Sequence, residues 1–402
     1  MKNNRKLKKI SLIDIFIVIL LIMTISLTTH FLLIDRVGFW RLIYPIQGQF
    51  AIWSISCSIN SPEWMYSSLK YIIKNQKTLS NQLAYIDKNN KTYSCQSGWV
   101  GHSIISSRLS VNTRFRYASM TKLITNDAVI QLINAGKIRL SDPMIQFLPE
   151  LEGNRFKDER IKSITIADLL QQRSGFDRMK SEDVLFSTKK TPWCPTQLSK
   201  LLDLNLDYQP NTNYTYDNRN TCLLGVVIER ITGDKYRNYI EKKYNLSKKN
   251  IKFVDGYYYS DEVRYDFRNN DFWVEKNDNS FDFKALSSSA GLSGNALNFA
   301  KTIKPMLKKD NLNILSIAND NIEACKINQF KSCNGYAMLH YQKDSNSPVM
   351  YFRDGGLPAV TSLTIVTDKN EVIVWVGNGA TLYDENYKEN FLEKYFYETL
   401  YH

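Results

Sequence analysis

Twenty consecutive residues, Ile15–Ile34 (IFIVILLIMTISLTTHFLLI), carry no formal charge when His30 is neutral, and nothing else in this 402-residue chain restricts its fate so far. At a rise of about 1.5 Å per residue, such a helix matches the roughly 30 Å hydrocarbon core of a bilayer. Lys2, Arg5, Lys6, Lys8 and Lys9 precede it. Positive charge ahead of an apolar span holds that end in the cytoplasm, so everything after Asp35 is expected outside it. A cleaved signal peptide is the competing reading, but its apolar region is ordinarily shorter and ends at small residues. This segment is long and has no A-x-A site. The expectation is an uncleaved membrane anchor, with Phe39 and Trp40 at the interface as aromatic anchors.

Composition then narrows what can lie beyond the anchor. Hydrophobic content of 43%, with 23% charged and 12% aromatic residues, is that of a folded protein with a sizeable core. The net charge is +12, of which the first nine residues supply five, and the remainder forms no basic stripe. With no basic helix or aromatic-basic motif, nucleic acid is not an expected partner. Six cysteines, an even number in a chain placed outside the cytoplasm, predict disulfides. Cys325 and Cys333 are nearest in sequence and form the first expected pair. There is no CxxC pair and the four histidines are scattered, so neither a metal site nor a cofactor is expected. G-x-S-x-G, H-E-x-x-H and P-loop patterns are absent too.

Periodicity gives the architecture. Ser61-Pro62-Glu63 opens a helix to about Lys74. LAYID and KTYSCQSGWV alternate on either side of the Lys88-Asn89-Asn90 turn and read as a hairpin. A helix from Ser119 to about Ala135 stops at Gly136. Residues from about Gly136 to Lys284 read as mainly helical with loops, and GNALNFAKTIKPML adds one more helix. Four strands follow, GYAMLHYQ, VMYFRDG, VTSLTIVTD and EVIVWVGNG, and an amphipathic helix over Asn386–Leu400 closes the chain. Strands at both ends with helices between predict an α+β fold: one antiparallel sheet flanked by helices, carrying a mainly helical insertion subdomain at about 136–284.

Three stretches carry chemistry. In RYASMTKLIT, Ser119 and Lys122 stand one turn apart on one helical face. A serine hydroxyl is a poor nucleophile until a base takes its proton, and a lysine is a base only when desolvation or a cationic neighbour makes it neutral. Leu123, Ile124, Val129, Ile130, Leu132 and Ile133 surround most of that helix with apolar side chains, which predicts burial. The same S-x-x-K spacing at Ser67–Lys70 and Ser187–Lys190 lies in polar surroundings and is expected to face solvent. In NYTYDNRNTCLLG, Tyr216 and Asn218 point the same way if the backbone is extended. A phenol can relay protons, and an Asn amide can hold the lysine and bind a substrate carbonyl. A second Y-x-N, Tyr236-Arg237-Asn238, is expected at the surface. In FRDGGLPAVTSLTIV, Arg353-Asp354-Gly355-Gly356 leads a strand, and the glycines let a ligand backbone approach. The N–H groups of Gly356 and Ser119 are candidates for an oxyanion hole.

In this order the three elements resemble the serine β-lactamase and penicillin-binding-protein superfamily, in its branch of class C β-lactamases, D-alanyl-D-alanine carboxypeptidases and related esterases and aminopeptidases. The likeness runs from about Leu83 to the C-terminus. TRFRYASMTKLIT is similar to the family's nucleophile segment, GKIRLSDPMIQFLPEL to its G-K-L-x-L-D-D-P-V stretch, LLQQRSGF to its L-L-x-H-T-S-G-L, and SSSAGLSGNALNFAK to its A-G-G-L-x-S-T turn. The resemblance implies a β-lactamase/transpeptidase-like fold over residues 79–402, after a basic tip and membrane anchor or signal (1–36) and a linker with a first helix (37–78). It implies Ser119 as acylated nucleophile, Lys122 as its proton partner, Tyr216 as general base and Asn218 as a substrate contact. The third motif departs from the pattern. Where relatives carry Lys or His, then Thr, Ser or Gly, then Gly, this chain has Arg353-Asp354-Gly355, and Ala359 replaces a glycine just beyond. Arginine keeps a positive charge for a substrate carboxylate but cannot release a proton, and Asp354 is expected to neutralise it.

The resulting expectation is a membrane-anchored serine hydrolase in a bacterial periplasm or on the cell surface. It would act on a small-molecule or peptide substrate: a peptidoglycan peptide, a β-lactam, an ester or an amide. The alternative, motivated by the altered third motif, is a cell-envelope binding or scaffolding protein with the same fold and no turnover. An Arg353–Asp354 pair across the cleft, or Tyr216 beyond about 5 Å from Ser119, would favour that alternative.

Overall fold

The computed structural model describes residues 11–76, 78–183, 185, 191–256, 258–265, 281–308, 311–317, 325–379 and 391–401. The basic residues ahead of the anchor and the Ser187–Lys190 pair lie outside the described residues. Helix α1 (Leu12–Leu33) starts from a capping box between Ser11 and Asp14. Its stretch Leu12–Phe31 is long and apolar enough to cross a membrane, and its side chains are exposed. A second helix, α2 (Arg36–Trp53), follows where the sequence suggested a linker. It is docked on the next helix, α3 (Glu63–Asn75): the Tyr44 hydroxyl donates to the Ile73 carbonyl at 2.5 Å, and Ala51 and Ile52 are buried with Ile73 and Trp99. Pro45 inside α2 obscured that helix in the sequence. The side chain of Trp40 lies outside the described part.

Strands β1 (Ser56–Cys57), β2 (Asn81–Ile86) and β3 (Thr92–Ser97) come from the N-terminal part of the chain. They are followed by β4 (Phe115–Arg116), α4 (Thr121–Asn134), α5 (Ile166–Leu170), α6 (Asn218–Thr232), α7 (Tyr236–Tyr244), β5 (Lys252–Phe253), α8 (Ser287–Ala290), β6 (Leu292–Gly294) and α9 (Ala296–Ile303). Strands β7 (Leu339–Tyr341), β8 (Met350–Leu357), β9 (Val360–Thr367) and β10 (Val372–Gly377), then α10 (Phe391–Tyr401), complete the order. The two chain ends meet in one antiparallel seven-stranded sheet, β1-β3-β2-β10-β9-β8-β7, as the sequence predicts. A small sheet, β4-β6-β5, sits beside it.

The central strands are apolar on both faces because both faces are covered. Leu83 and Tyr85 of β2, Ile365 of β9 and Ile373 and Trp375 of β10 pack with Met65, Leu69 and Ile72 of α3 and Phe396 of α10. The alternate residues Ala84, Ile86, Val372, Val374 and Val376 enter a larger core with α4, α6 and α9, as the two-residue period of a strand requires. The insertion is less helical than its sequence suggests. From Thr191 to Tyr216 the described backbone is turns and 3-10 segments, where Pro192, Pro195 and Pro210 deny the chain continuous helical hydrogen bonds. Disulfides tie Cys57 to Cys95, Cys194 to Cys222 and Cys325 to Cys333, the last being the expected pair.

Candidate active site

Ser119 does not open α4 itself. It lies in the 3-10 turn Ala118–Met120 that joins β4 to that helix. The turn is held on both sides. Tyr117 N–H donates to Leu292 O at 2.9 Å, the Tyr117 hydroxyl donates to Asn295 O at 2.8 Å, and the Ser362 hydroxyl of β9 donates to Tyr117 O at 2.8 Å. One residue earlier, buried Arg116 is paired with buried Glu262 at 2.8 Å. Breaking such a buried pair leaves an uncompensated charge, so the approach to Ser119 is rigid.

Lys122 is 1% exposed, within a helix buried along most of its length. Its Nζ lies 3.1 Å from Ser119 Oγ, 2.7 Å from Asn218 Oδ1 and 3.0 Å from Ser289 O. Burial, reinforced by the Arg353 cation and then Arg178, holds its pKa well below the usual lysine range, against the opposing charges of Asp183 and Asp354. The geometry says where the protons lie. A neutral amine has two N–H bonds and one lone pair, and an amide or peptide oxygen can only accept. With its N–H bonds on Asn218 Oδ1 and Ser289 O, the lone pair is left for the Ser119 hydroxyl.

Tyr216 arrives on an extended loop pinned to α5's end: Thr215 N–H donates to Gln172 O at 3.0 Å and Asp217 N–H to Gln172 Oε1 at 2.8 Å. Its hydroxyl is 2.7 Å from Ser119 Oγ and 3.4 Å from Asn218 Oδ1. Burial raises the phenol's pKa above its ordinary value, so it rests protonated and can donate to Ser119. Asp217 caps α6, and Asn218, the first residue of that helix, faces the lysine. The Asn218 amide is engaged at both ends, since its Nδ2 donates to Asp183 Oδ2 at 2.6 Å.

Strand β8 passes directly over Ser119. A Cβ built on Gly355 would fall 2.6 Å from Tyr117 O and 2.9 Å from Ser119 N, so only glycine fits there. Gly356, next in the strand, pairs across with Thr361. Arg353 and Asp354 do not neutralise each other as expected. Adjacent residues in a strand point to opposite faces. Arg353, 2% exposed, donates from Nε to Ala337 O at 2.9 Å and from a terminal nitrogen to Asn334 Oδ1 at 2.7 Å. Asp354 accepts from Lys331 Nζ at 2.8 Å, and Lys331 also reaches Glu393 at 3.4 Å. Sequence reading missed Asp183 and Lys331, which belong to no recognisable motif, and the carbonyl of Ser289, which lies in the SSSAGLSG stretch but was given no role there. The competing residues that are described lie elsewhere. Ser67 and Lys70 are exposed on α3. Tyr236 is buried, against expectation, because its hydroxyl meets Thr125 Oγ1 at 2.6 Å under α4.

A serine, a lysine and a phenol in mutual contact, under a glycine strand at the edge between a sheet and a helical region, define a class. The chain belongs to the serine β-lactamase and penicillin-binding-protein superfamily, and residues 82–247 match the β-lactamase family model. Among its relatives is the probable fimbrial assembly protein FimD, serogroup H1, of Dichelobacter nodosus, 34% identical over 361 residues that make up 90% of each chain. Protein flp of Staphylococcus aureus is 30% identical over 134 residues, 33% of this chain and 26% of that one. The fold is shared with a penicillin-binding protein homologue from Pyrococcus abyssi (TM-score 0.60, 16% identity, 84% of this chain and 76% of that one). It is shared also with a D-amino acid amidase from Ochrobactrum anthropi SV3 (TM-score 0.58, 16% identity, 80% and 95%).

Proposed function

We propose that this chain is a serine hydrolase, anchored by α1 with its folded part outside the cytoplasm, that works through an acyl-enzyme on Ser119. The observation that carries the reading is the meeting of Lys122 Nζ and Tyr216 Oη on one Ser119 Oγ, at 3.1 and 2.7 Å. Neutral Lys122 takes the Ser119 proton as Oγ bonds to the carbonyl carbon of an amide, ester or β-lactam. The N–H groups of Ser119 and Gly356 steady the oxyanion. As the carbonyl carbon's bond to the departing nitrogen or oxygen breaks, Tyr216 protonates that atom and is reprotonated from the lysine. Water then attacks the acyl carbon, its proton passes to the same pair, and Ser119 regains its hydroxyl. Asn218 Oδ1 and the Ser289 carbonyl keep the lysine's two N–H bonds occupied so that its lone pair faces serine.

A second reading is favoured by the name of the Dichelobacter nodosus relative, a probable fimbrial assembly protein: the same cleft would hold an envelope partner without turnover. Intact mass after incubation with a fluorophosphonate separates the two. The hydrolase reading expects one adduct per chain in wild type and none in Ser119→Ala. Absence of any Ser119-dependent adduct would overturn it.

A further inference from the structure

Among the described residues, a substrate that brings an anionic group into this cleft meets four cations, and three are already committed. Lys122 is enclosed by Ser119, Asn218 and Ser289. Arg353, the residue at the position where relatives carry the cleft's Lys or His, is buried and spends its guanidinium on Asn334 and the Ala337 carbonyl. Lys331, at the outer side of β8, is shared by Asp354 and Glu393. The fourth is Arg178, in the turn that follows Phe176. It is exposed, and its guanidinium lies 4.9 Å from the centre of the Tyr216 ring, with Lys122 Nζ 5.0 Å from that centre. Among the described residues Arg178 has no ion-pair or side-chain hydrogen-bond partner. A guanidinium held over an aromatic face by cation–π attraction keeps its N–H groups available to a carboxylate.

The side of the cleft follows from the chemistry. Tyr216 protonates the departing atom, so the departing fragment lies on the Tyr216 side of Ser119. We infer that Arg178 is the specificity-determining residue that recognises a carboxylate on the leaving fragment of the substrate, the task its relatives' third motif would otherwise perform. The substrate class is thus an acyl donor whose departing part ends in a free carboxylate, such as a peptide cleaved near its C-terminus. This rests on the hydrolase reading for the side of the cleft, but not for the binding it predicts.

The test uses the full-length chain in detergent and two probes, the N-benzoylglycyl thioester of thioglycolate, whose leaving thiol carries a carboxylate, and its methyl ester. In Ser119→Ala, which cannot be acylated, calorimetry is expected to show the acid bound about tenfold more tightly than the ester. That preference should collapse in Ser119→Ala/Arg178→Ala and be partly retained with Arg178→Lys, because lysine keeps the charge but loses the fork. In chains with Ser119 intact, Arg178→Ala should raise KM for the acid much more than it lowers kcat. Equal affinity for the two probes, no measurable binding of the acid, or a preference that survives Arg178→Ala and vanishes in Arg353→Ala overturns the inference. The binding arm needs no turnover, so a chain that lacks a Ser119 adduct yet shows the Arg178-dependent preference sinks the hydrolase reading alone.

Discussion

The two walls of the cleft treat the superfamily's pattern differently. On the helical wall, Ser119, Lys122, Tyr216 and Asn218 come from α4, its preceding turn, the loop ahead of α6 and the start of α6, and their polar atoms meet at 2.7–3.4 Å. On the sheet wall, β8 lays Gly355 against the turn of Ser119 but commits its charged side chains elsewhere, Arg353 to a neighbouring loop and Asp354 to Lys331. An arrangement able to activate a nucleophile is demanding in position, and on the helical wall the side chains meet as it requires. Recognition of a charge needs only some cation within reach, so it is free to move. The contrast predicts that substitutions on the helical wall abolish chemistry, whereas those on β8 act through backbone shape or hardly at all.

The largest expected effect is that of Lys122→Met, which removes the proton acceptor at similar volume. Acylation should fall about 10²–10⁴-fold, and a loss under tenfold would break the distinction between the walls. The pH dependence carries a sign. The folded-state pKa of Lys122 is depressed, chiefly by burial and then by Arg353. The acylation rate should therefore already be on its alkaline plateau well below the pH of about 10.4 where a free lysine titrates. Between the folded and unfolded values, the unfolded chain holds a proton that the folded chain lacks. This contribution to stability thus rises with pH and levels off above the unfolded value. The thermal midpoint of wild type minus that of Lys122→Met should climb with pH through that window. A difference independent of pH would mean that the lysine is charged in the fold.

Gly355→Ala sharpens the claim that the sheet wall matters through its backbone. The added Cβ would fall within 3 Å of Tyr117 O and Ser119 N, main-chain atoms that a flexible side chain cannot yield in place of. Overpacking of this kind costs about 1–3 kcal/mol. Displacing an oxyanion donor costs about 10²–10³ in rate. Denaturant unfolding and the rate of fluorophosphonate labelling measure the two. Labelling at the wild-type rate would show that β8 does not shape the site.

How much of this was legible follows the same division. The apolar runs in LAYID and EVIVWVGNG marked β2 and β10, because strands buried on two faces leave apolar residues at successive positions. Ser119, Lys122, Tyr216 and Asn218 were legible because their chemistry demands fixed spacings of three and two. Asp183 and the Ser289 carbonyl were not. One is a loop acid and the other a main-chain oxygen, and the long-range closure that brings them to Asn218 and Lys122 leaves no local pattern. The separation of Arg353 from Asp354 was readable in principle, since neighbours in a strand face opposite ways. What hid it was Asn334 and Lys331, the partners that hold the two apart from a loop closed by the Cys325–Cys333 bridge and its next residue.

The smallest expected effect is the most exacting test of the contrast. Asp354 and Lys331 are 43% and 40% exposed as side chains, and Lys331 keeps Glu393 nearby when the aspartate is neutralised. An ion pair that open to solvent contributes at most about 1 kcal/mol, so Asp354→Asn should shift the unfolding midpoint only slightly. It also removes the negative charge that pairs with Lys331 at the outer side of β8. If β8 recognised the substrate anion, that removal would release Lys331 and strengthen the thioglycolate thioester's binding. If Arg178 does so, Lys331 remains held by Glu393 and kcat/KM for the acid should change less than about threefold, near the limit that screening allows between exposed charges. A rise beyond tenfold in Asp354→Asn, absent from the methyl ester, would return recognition to the strand and leave Arg178 a bystander.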